Sequence, residues 1–125
     1  MKNNMARQID TETKELLNVI IEAISEKKGE DIVSLNLSKI DGTVTDFFVI
    51  TNANSSTQVD AIAHEVERTT REKLKQKVWK KEGYENSQWI LLDYGSVVVH
   101  VFQTPYREFY KLEELWADAE ITNHN

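Results

Sequence analysis

The chain contains no cysteine. Disulfides, thiolate nucleophiles, iron–sulfur clusters and cysteine-ligated zinc are therefore excluded, and the absence is compatible with a reducing compartment. One proline and four glycines are too few for a collagen-like or linker-rich chain. Apolar runs are short: Val97–Val98–Val99 is among the longest, far below the roughly 20 residues of a membrane-spanning helix. No signal peptide is expected, because Asn3, Asn4, Arg7, Gln8 and Asp10 stand where its apolar segment would begin. The sequence also lacks Gly-x-x-x-x-Gly-Lys-Ser/Thr, Gly-x-Gly-x-x-Gly and Gly-x-Ser-x-Gly, so the usual nucleotide cradles and the nucleophile elbow are missing. His64, His100 and His124 occur at no metal-ligand spacing. Neither a metal nor a cofactor is expected.

What remains is 125 residues with 40% hydrophobic content, enough for one domain with a real core. The domain is expected to span residues 1–125, with its core at about 10–118. The net charge is −6, but it is unevenly spread. From His64 to Lys81 there are seven basic residues and three acidic ones, so an otherwise acidic chain carries one basic stretch. Alternating Lys and Glu can simply solvate a helix. Alternatively, Arg68, Arg71, Lys75, Lys77, Lys80 and Lys81 are candidate contacts to nucleic acid, while the acidic body suits a basic protein partner.

After a polar, frayed start over Met1–Ile9, the spacing of Leu16, Leu17, Ile20, Ile21 and Ile24 predicts a helix from about Asp10 to Lys28, stopped at Gly29. Val33, Leu35 and Leu37 alternate in a half-buried strand, and the apolar run from Phe47 reads as a strand covered on both faces. A second helix follows over roughly Ser56–Lys77, its inner stripe running from Val59 to Leu74. Trp89–Tyr94 and Val97–Phe102 form a hairpin about Gly95. Thr104 as N-cap and Pro105 as first helical residue start a last helix, with Phe109, Leu112, Leu115 and Trp116 as its apolar stripe. The expected fold is a small α/β domain, a four-stranded mixed sheet flanked by helices.

Asp93, Ser96 and His100 allow a Ser–His–Asp reading on paper, but no separate oxyanion donor is visible. The simpler reading has Asp93 accepting turn amides and His100 hydrogen-bonded at the sheet. A binding surface has better support. Tyr84, Trp89, Tyr94, Tyr106, Phe109, Tyr110 and Trp116 crowd the C-terminal third, and such side chains anchor interfaces. Trp89, Leu91 and Asp93 alternate onto one sheet face near Glu82 and Glu85. Such a face suits a partner that is apolar at its centre and basic at its rim. Trp89 and Leu91 could equally be ordinary core.

Five segments, in order, closely resemble the ribosomal silencing factor (Iojap-like) family: Thr45–Ile50, Gln58–Ala63, Glu82–Gly83, Trp89–Phe102 and Arg107–Trp116. The resemblance covers about Leu17 to Ala119. It implies a fold similar to that of nucleotidyltransferases but without the Asp-x-Asp metal pair that such chemistry needs. It implies docking on the large ribosomal subunit through its protein fourteen, a steric block of subunit joining, and lower translation under nutrient limitation. It also implies a homodimer when free. The family's partner surface falls on Trp89, Leu91, Asp93, Tyr94 and Gly95, with His100 on the paired strand and Tyr84 as a weaker addition. Ser96 departs from the family's usual Asp and removes one negative charge from the turn. Family members also occur in organelles, but the short polar start has too few basic residues for a transit peptide, so a cytoplasmic location is expected. A large-subunit assembly role, or a nucleotidyltransferase-like enzyme using Ser55, Ser56 and Asp93, are the alternatives.

Overall fold

A computed structural model describes residues 7–125. The elements are α1 (Thr11–Glu26), β1 (Glu30–Asn36), β2 (Phe47–Ala53), α2 (Ser56–Leu74), β3 (Lys80–Glu82), β4 (Trp89–Asp93), β5 (Val97–Gln103), α3 (Thr104–Tyr110), α4 (Leu112–Leu115) and β6 (Glu120–Asn123). One mixed sheet runs in the order β3-β4-β5-β2-β1-β6. β2 and β5 are parallel at its centre and the other pairs are antiparallel. The sheet thus has six strands, not the expected four. The two additions, β3 and β6, are its edges, and every residue in them is exposed. Strands with no buried face carry no hydrophobic alternation, and charged edges are how sheets avoid pairing with other chains.

The two faces of the sheet are covered differently. On one, α1 contributes Leu16, Ile20 and Ile24 and α2 contributes Val59, Ile62 and Val66, all packed on Val49, Ile90, Leu92, Val97, Val99 and Val101. On the other, Val33, Leu35, Leu37, Ile50 and Phe102 meet Leu112 and Ala119 from the C-terminal segment. β1 is consequently buried on both faces from Ile32 to Leu35 and is not the half-buried strand expected.

The helix ends follow local chemistry. The Asp10 carboxylate accepts from the Thr13 amide at 2.8 Å and caps α1, and Ser55 caps α2 by accepting from Gln58. α1 ends before Gly29, where Lys28 takes the left-handed conformation (φ 61°). Gly29 is needed for space, since a Cβ there would lie 2.4 Å from the Ile24 side chain. α2 ends at Leu74 with Lys75 left-handed (φ 57°), so Lys75 and Lys77 lie beyond the helix that was read to Lys77. The last helix is broken at Lys111 (φ 50°) into α3 and α4. Thr104 is helical and not the cap, and its hydroxyl instead donates to the Ala53 carbonyl and the Asn54 side chain. The expected stripe is split by that break: Leu112 is buried, but Phe109 is 76% and Leu115 73% exposed.

Of the frayed start, residues 1–6 lie outside the described region. Arg7 is anchored, its amide donating to Ser38 and its guanidinium to Asp46, Thr43 and Thr45. No helix among the described residues is long and apolar enough to cross a membrane.

Candidate docking surface

β4 alternates by pleat, so Ile90 and Leu92 enter the helix-covered core while Trp89, Leu91 and Asp93 face the other way, each half-buried. The register places Leu91 opposite His100, Trp89 opposite Phe102 and Asp93 opposite Val98. These residues form one surface at the β4 side of the sheet, next to the patch that α4 covers.

Trp89 is its centre. The indole stacks on Phe102 with ring centroids 4.9 Å apart and meets Tyr110 of α3 at 4.7 Å. Its Nε1–H donates to His100 Nδ1 at 3.1 Å. That bond makes Nδ1 an acceptor, so the neutral His100 ring carries its proton on Nε2. Burial pushes the His100 pKa down to about 3. Nε2 is shielded from solvent and has no hydrogen-bond partner among the described residues, while Phe48 stands edge-on at 4.6 Å. His100 therefore lies beneath the surface and orients Trp89. Around the patch Phe109, Tyr110 and Leu115 are exposed. Glu82, paired opposite Leu91, lies on the same side as Asp93, and Glu108 and Glu114 are exposed on the adjoining helices.

Two aromatic residues expected on this face belong to the other one. The Tyr94 hydroxyl bonds Thr70 of α2 at 2.8 Å, and the Tyr84 hydroxyl donates to Glu67 at 2.6 Å. Both pack against the helix-side core. Burial pushes the Tyr94 pKa up to about 12, and burial followed by the Glu67 carboxylate pushes Tyr84 up further. They seal the seam between α2 and the sheet, because the same alternation that exposes Trp89, Leu91 and Asp93 sends Tyr94 to the opposite side. Gly95 is exposed in the turn at φ 87°, and its amide donates to Asp93 Oδ1 at 2.8 Å. Asp93 thus accepts a turn amide, as the simpler reading had it.

The catalytic readings do not assemble. His100 Nδ1 is bound by Trp89 and Asp93 by Gly95, so neither serves the other as in a triad. Ser55 and Ser56 lie at the end of β2, which pairs with the end of β5, while Asp93 pairs near the start of β5. Five residues of β5 separate those positions, roughly 17 Å at strand spacing. Asn52, at the end of β2 beside these serines, is engaged by α3: its amide donates to the Thr104 hydroxyl and its oxygen accepts from Arg107.

The basic stretch divides as well. Arg68 is bound by Glu65 at 2.6 Å and Glu72 at 2.8 Å, and these carboxylates push its pKa up. Lys80 pairs with Glu82, and Lys81 with Glu67. Arg71, Lys75 and Lys77 are exposed and meet no carboxylate within 4 Å among the described residues. Trp79, in the middle of this stretch, is 76% exposed. It lies outside the aromatic cluster of the C-terminal third, and its position between lysines is the sequence signal that marks it.

The family model described as "Ribosomal silencing factor during starvation" matches residues 10–125. The ribosomal silencing factor of Halalkalibacterium halodurans is 44% identical over 85% of this chain and 89% of its own length. That of Bacillus subtilis is 41% identical over 88% of this chain and 92% of its own. The crystal structure of a Chromobacterium violaceum protein, 33% identical, superposes with a TM-score of 0.79 over 84% of this chain and 86% of that one.

Proposed function

The chain belongs to the ribosomal silencing factor family, and from that premise we propose that it docks on the large ribosomal subunit through the subunit's protein fourteen and blocks joining of the small subunit. Family membership carries a role in ribosome silencing and translation regulation, and this is not a known enzyme family. The proposed mechanism is occlusion. The domain turns over nothing, needs no cofactor, and represses translation in the cytoplasm under nutrient limitation because its volume and the small subunit compete for one place. The free chain is a homodimer on the same reading. On the same reading the fold is a nucleotidyltransferase-like scaffold turned to docking.

The observation that supports this best is the half-open Trp89 surface. It is apolar at its centre, with Trp89 and Leu91, and carries on the same side Asp93 and the Lys80–Glu82 ion pair. Buried aromatic anchors commonly carry about 2 kcal/mol or more of an interface, whereas an exposed ion pair carries about 0–1. Trp89 is therefore the anchor, Asp93 a steering charge and His100 the residue that orients the indole. Arg71, Lys75 and Lys77 add contacts to ribosomal RNA, with Arg68, Lys80 and Lys81 reduced to a minor part by the carboxylates that hold them.

The test is co-sedimentation with isolated large subunits, small subunits and whole ribosomes, repeated with Trp89→Ala and Asp93→Ala. The expected result is binding to free large subunits alone, weakened at least tenfold by Trp89→Ala and a few-fold by Asp93→Ala. Equal binding to preformed whole ribosomes would end the occlusion mechanism.

A further inference from the structure

We propose that Trp79 and the lysines around it form a stacking site for a short stretch of single-stranded RNA. The inference rests on the reading of the basic stretch as an RNA contact, but not on the Trp89 surface. From Arg71 to Lys81 the chain carries six basic residues and one acidic residue, so a segment of +5 lies within a molecule of −6.

The local backbone explains why Trp79 is outside. α2 closes with the Lys75 amide bonded to Arg71 and the Gln76 amide to Thr70. The chain then crosses to the sheet edge, where Val78 packs into the core. The Trp79 amide donates to the Asp93 carbonyl at 2.9 Å, which fixes the backbone while the indole remains 76% exposed. Neither the core nor the sheet uses this ring. Lysines near the end of α2 are explained by the helix dipole, but that accounts for none of the exposure of a tryptophan beyond it.

The pairing of the two residue types selects the partner. A flat ring that follows Lys75 and Lys77, both exposed and without a carboxylate within 4 Å among the described residues, and precedes Lys80 and Lys81, each held by one carboxylate, matches a nucleic-acid strand whose unpaired base stacks while its phosphates meet the free ammonium groups. A duplex has no free base face to offer. An acidic polypeptide would use the charges and leave the indole idle.

The experiment is fluorescence anisotropy of a labelled twelve-nucleotide oligouridylate at low salt. Comparators are an RNA duplex of the same length, polyglutamate as competitor, and the variants Trp79→Ala, Trp79→Phe, Lys77→Glu/Lys80→Glu and Trp89→Ala. Binding of the single strand should quench tryptophan emission, and the quench should vanish in both Trp79 variants. Trp79→Ala should weaken binding at least fivefold, and Trp79→Phe should recover part of the loss because a phenyl ring also stacks. The paired Lys→Glu variant should flatten the salt dependence, and Trp89→Ala should bind RNA normally. Trp79→Ala should melt at the wild-type temperature, since the ring is 76% exposed. Failure to bind RNA at low salt would remove the whole RNA reading. Binding that ignores Trp79, prefers duplex, or yields equally to polyglutamate would overturn the stacking site and leave only a charged surface. Neither result touches the subunit docking measured with Trp89→Ala.

Discussion

Lowering the pH from 7.5 to 5.0 should destabilise this protein chiefly through one buried ring. His100 has an ordinary imidazole pKa of about 6.5 when the chain is unfolded, and burial lowers it to about 3 in the fold. Between these values the unfolded state binds a proton that the folded state refuses. Stability is therefore complete above pH 6.5 and falls as the pH drops towards 3, with a limiting slope of about 1.4 kcal/mol per unit. Integrated from pH 7.5 to 5.0, one such group removes about 2 kcal/mol. The window lies above the carboxylates whose pKa values the fold lowers, Asp10 through the Thr13 amide and Glu65 through Arg68. The charged groups on the same face are Asp93 at the far end of β4 and, on β3, Glu82 opposite Leu91 and Lys80 opposite Asp93, the last two paired with each other.

Urea unfolding across this range, on the wild type and on His100→Gln, measures the effect. Glutamine can still accept from the Trp89 indole but does not titrate. Each protein is compared with itself across pH, so a lower baseline for the variant cancels. The wild type should lose about 2 kcal/mol more than the variant. The remaining slope should fall further with His124→Asn, because burial lowers that histidine as well. Ring carbon shifts supply a second readout: His100 should stay neutral, protonated on Nε2, throughout the window. Identical slopes in the two proteins, or a ring that titrates near pH 6.5, would refute the reasoning.

Further outcomes concern two glycines and two tyrosines. Gly83→Ala places a Cβ 2.0 Å from the Trp89 carbonyl at φ 96°, whereas Gly95→Ala at φ 87° meets nothing within 4 Å. The first should cost more than about 3 kcal/mol in urea unfolding and the second about 1–2, the strain of the left-handed conformation alone. Tyr84→Phe removes a hydrogen bond to a carboxylate that is 8% exposed and should cost about 1–3 kcal/mol. In the co-sedimentation assay Tyr84→Phe and Tyr94→Phe should bind large subunits like the wild type, since both hydroxyls serve the α2 seam.

The legible elements were those with a buried face. α1 and α2 bury an apolar stripe, β4 alternates, and β1, β2 and β5 are covered on both faces, so periodicity or an apolar run locates all six to within a few residues. β3 and β6 were invisible because Lys80-Lys81-Glu82 and Glu120-Ile121-Thr122-Asn123 are exposed throughout. What makes them strands is pairing with β4 and β1, which no local pattern records. The break at Lys111 was hidden for a related reason: a lysine in the left-handed conformation leaves no glycine or proline signal. The side taken by Tyr94 follows from strand parity. If Trp89, Leu91 and Asp93 share a face, parity sends residue 94 to the other.

The placement of Trp89 bears on why a face this small can serve as an anchor. An exposed, mobile side chain loses rotamer freedom when a partner covers it, and that loss subtracts from affinity. Here the loss has already occurred in the free protein. Phe102 and Tyr110 hold the indole from two directions, and His100 binds its N–H, so the ring is fixed before any partner arrives. Asp93 has the opposite character: one oxygen is engaged by the turn amide, and the carboxylate is half-open to water, where ion pairs are weak. A rigid apolar centre beside a solvated charge gives an interface whose strength resides in Trp89 and whose approach is steered by Asp93. On this argument His100→Gln, which retains an acceptor for the indole, should preserve subunit binding far better than His100→Leu, which removes it while remaining apolar.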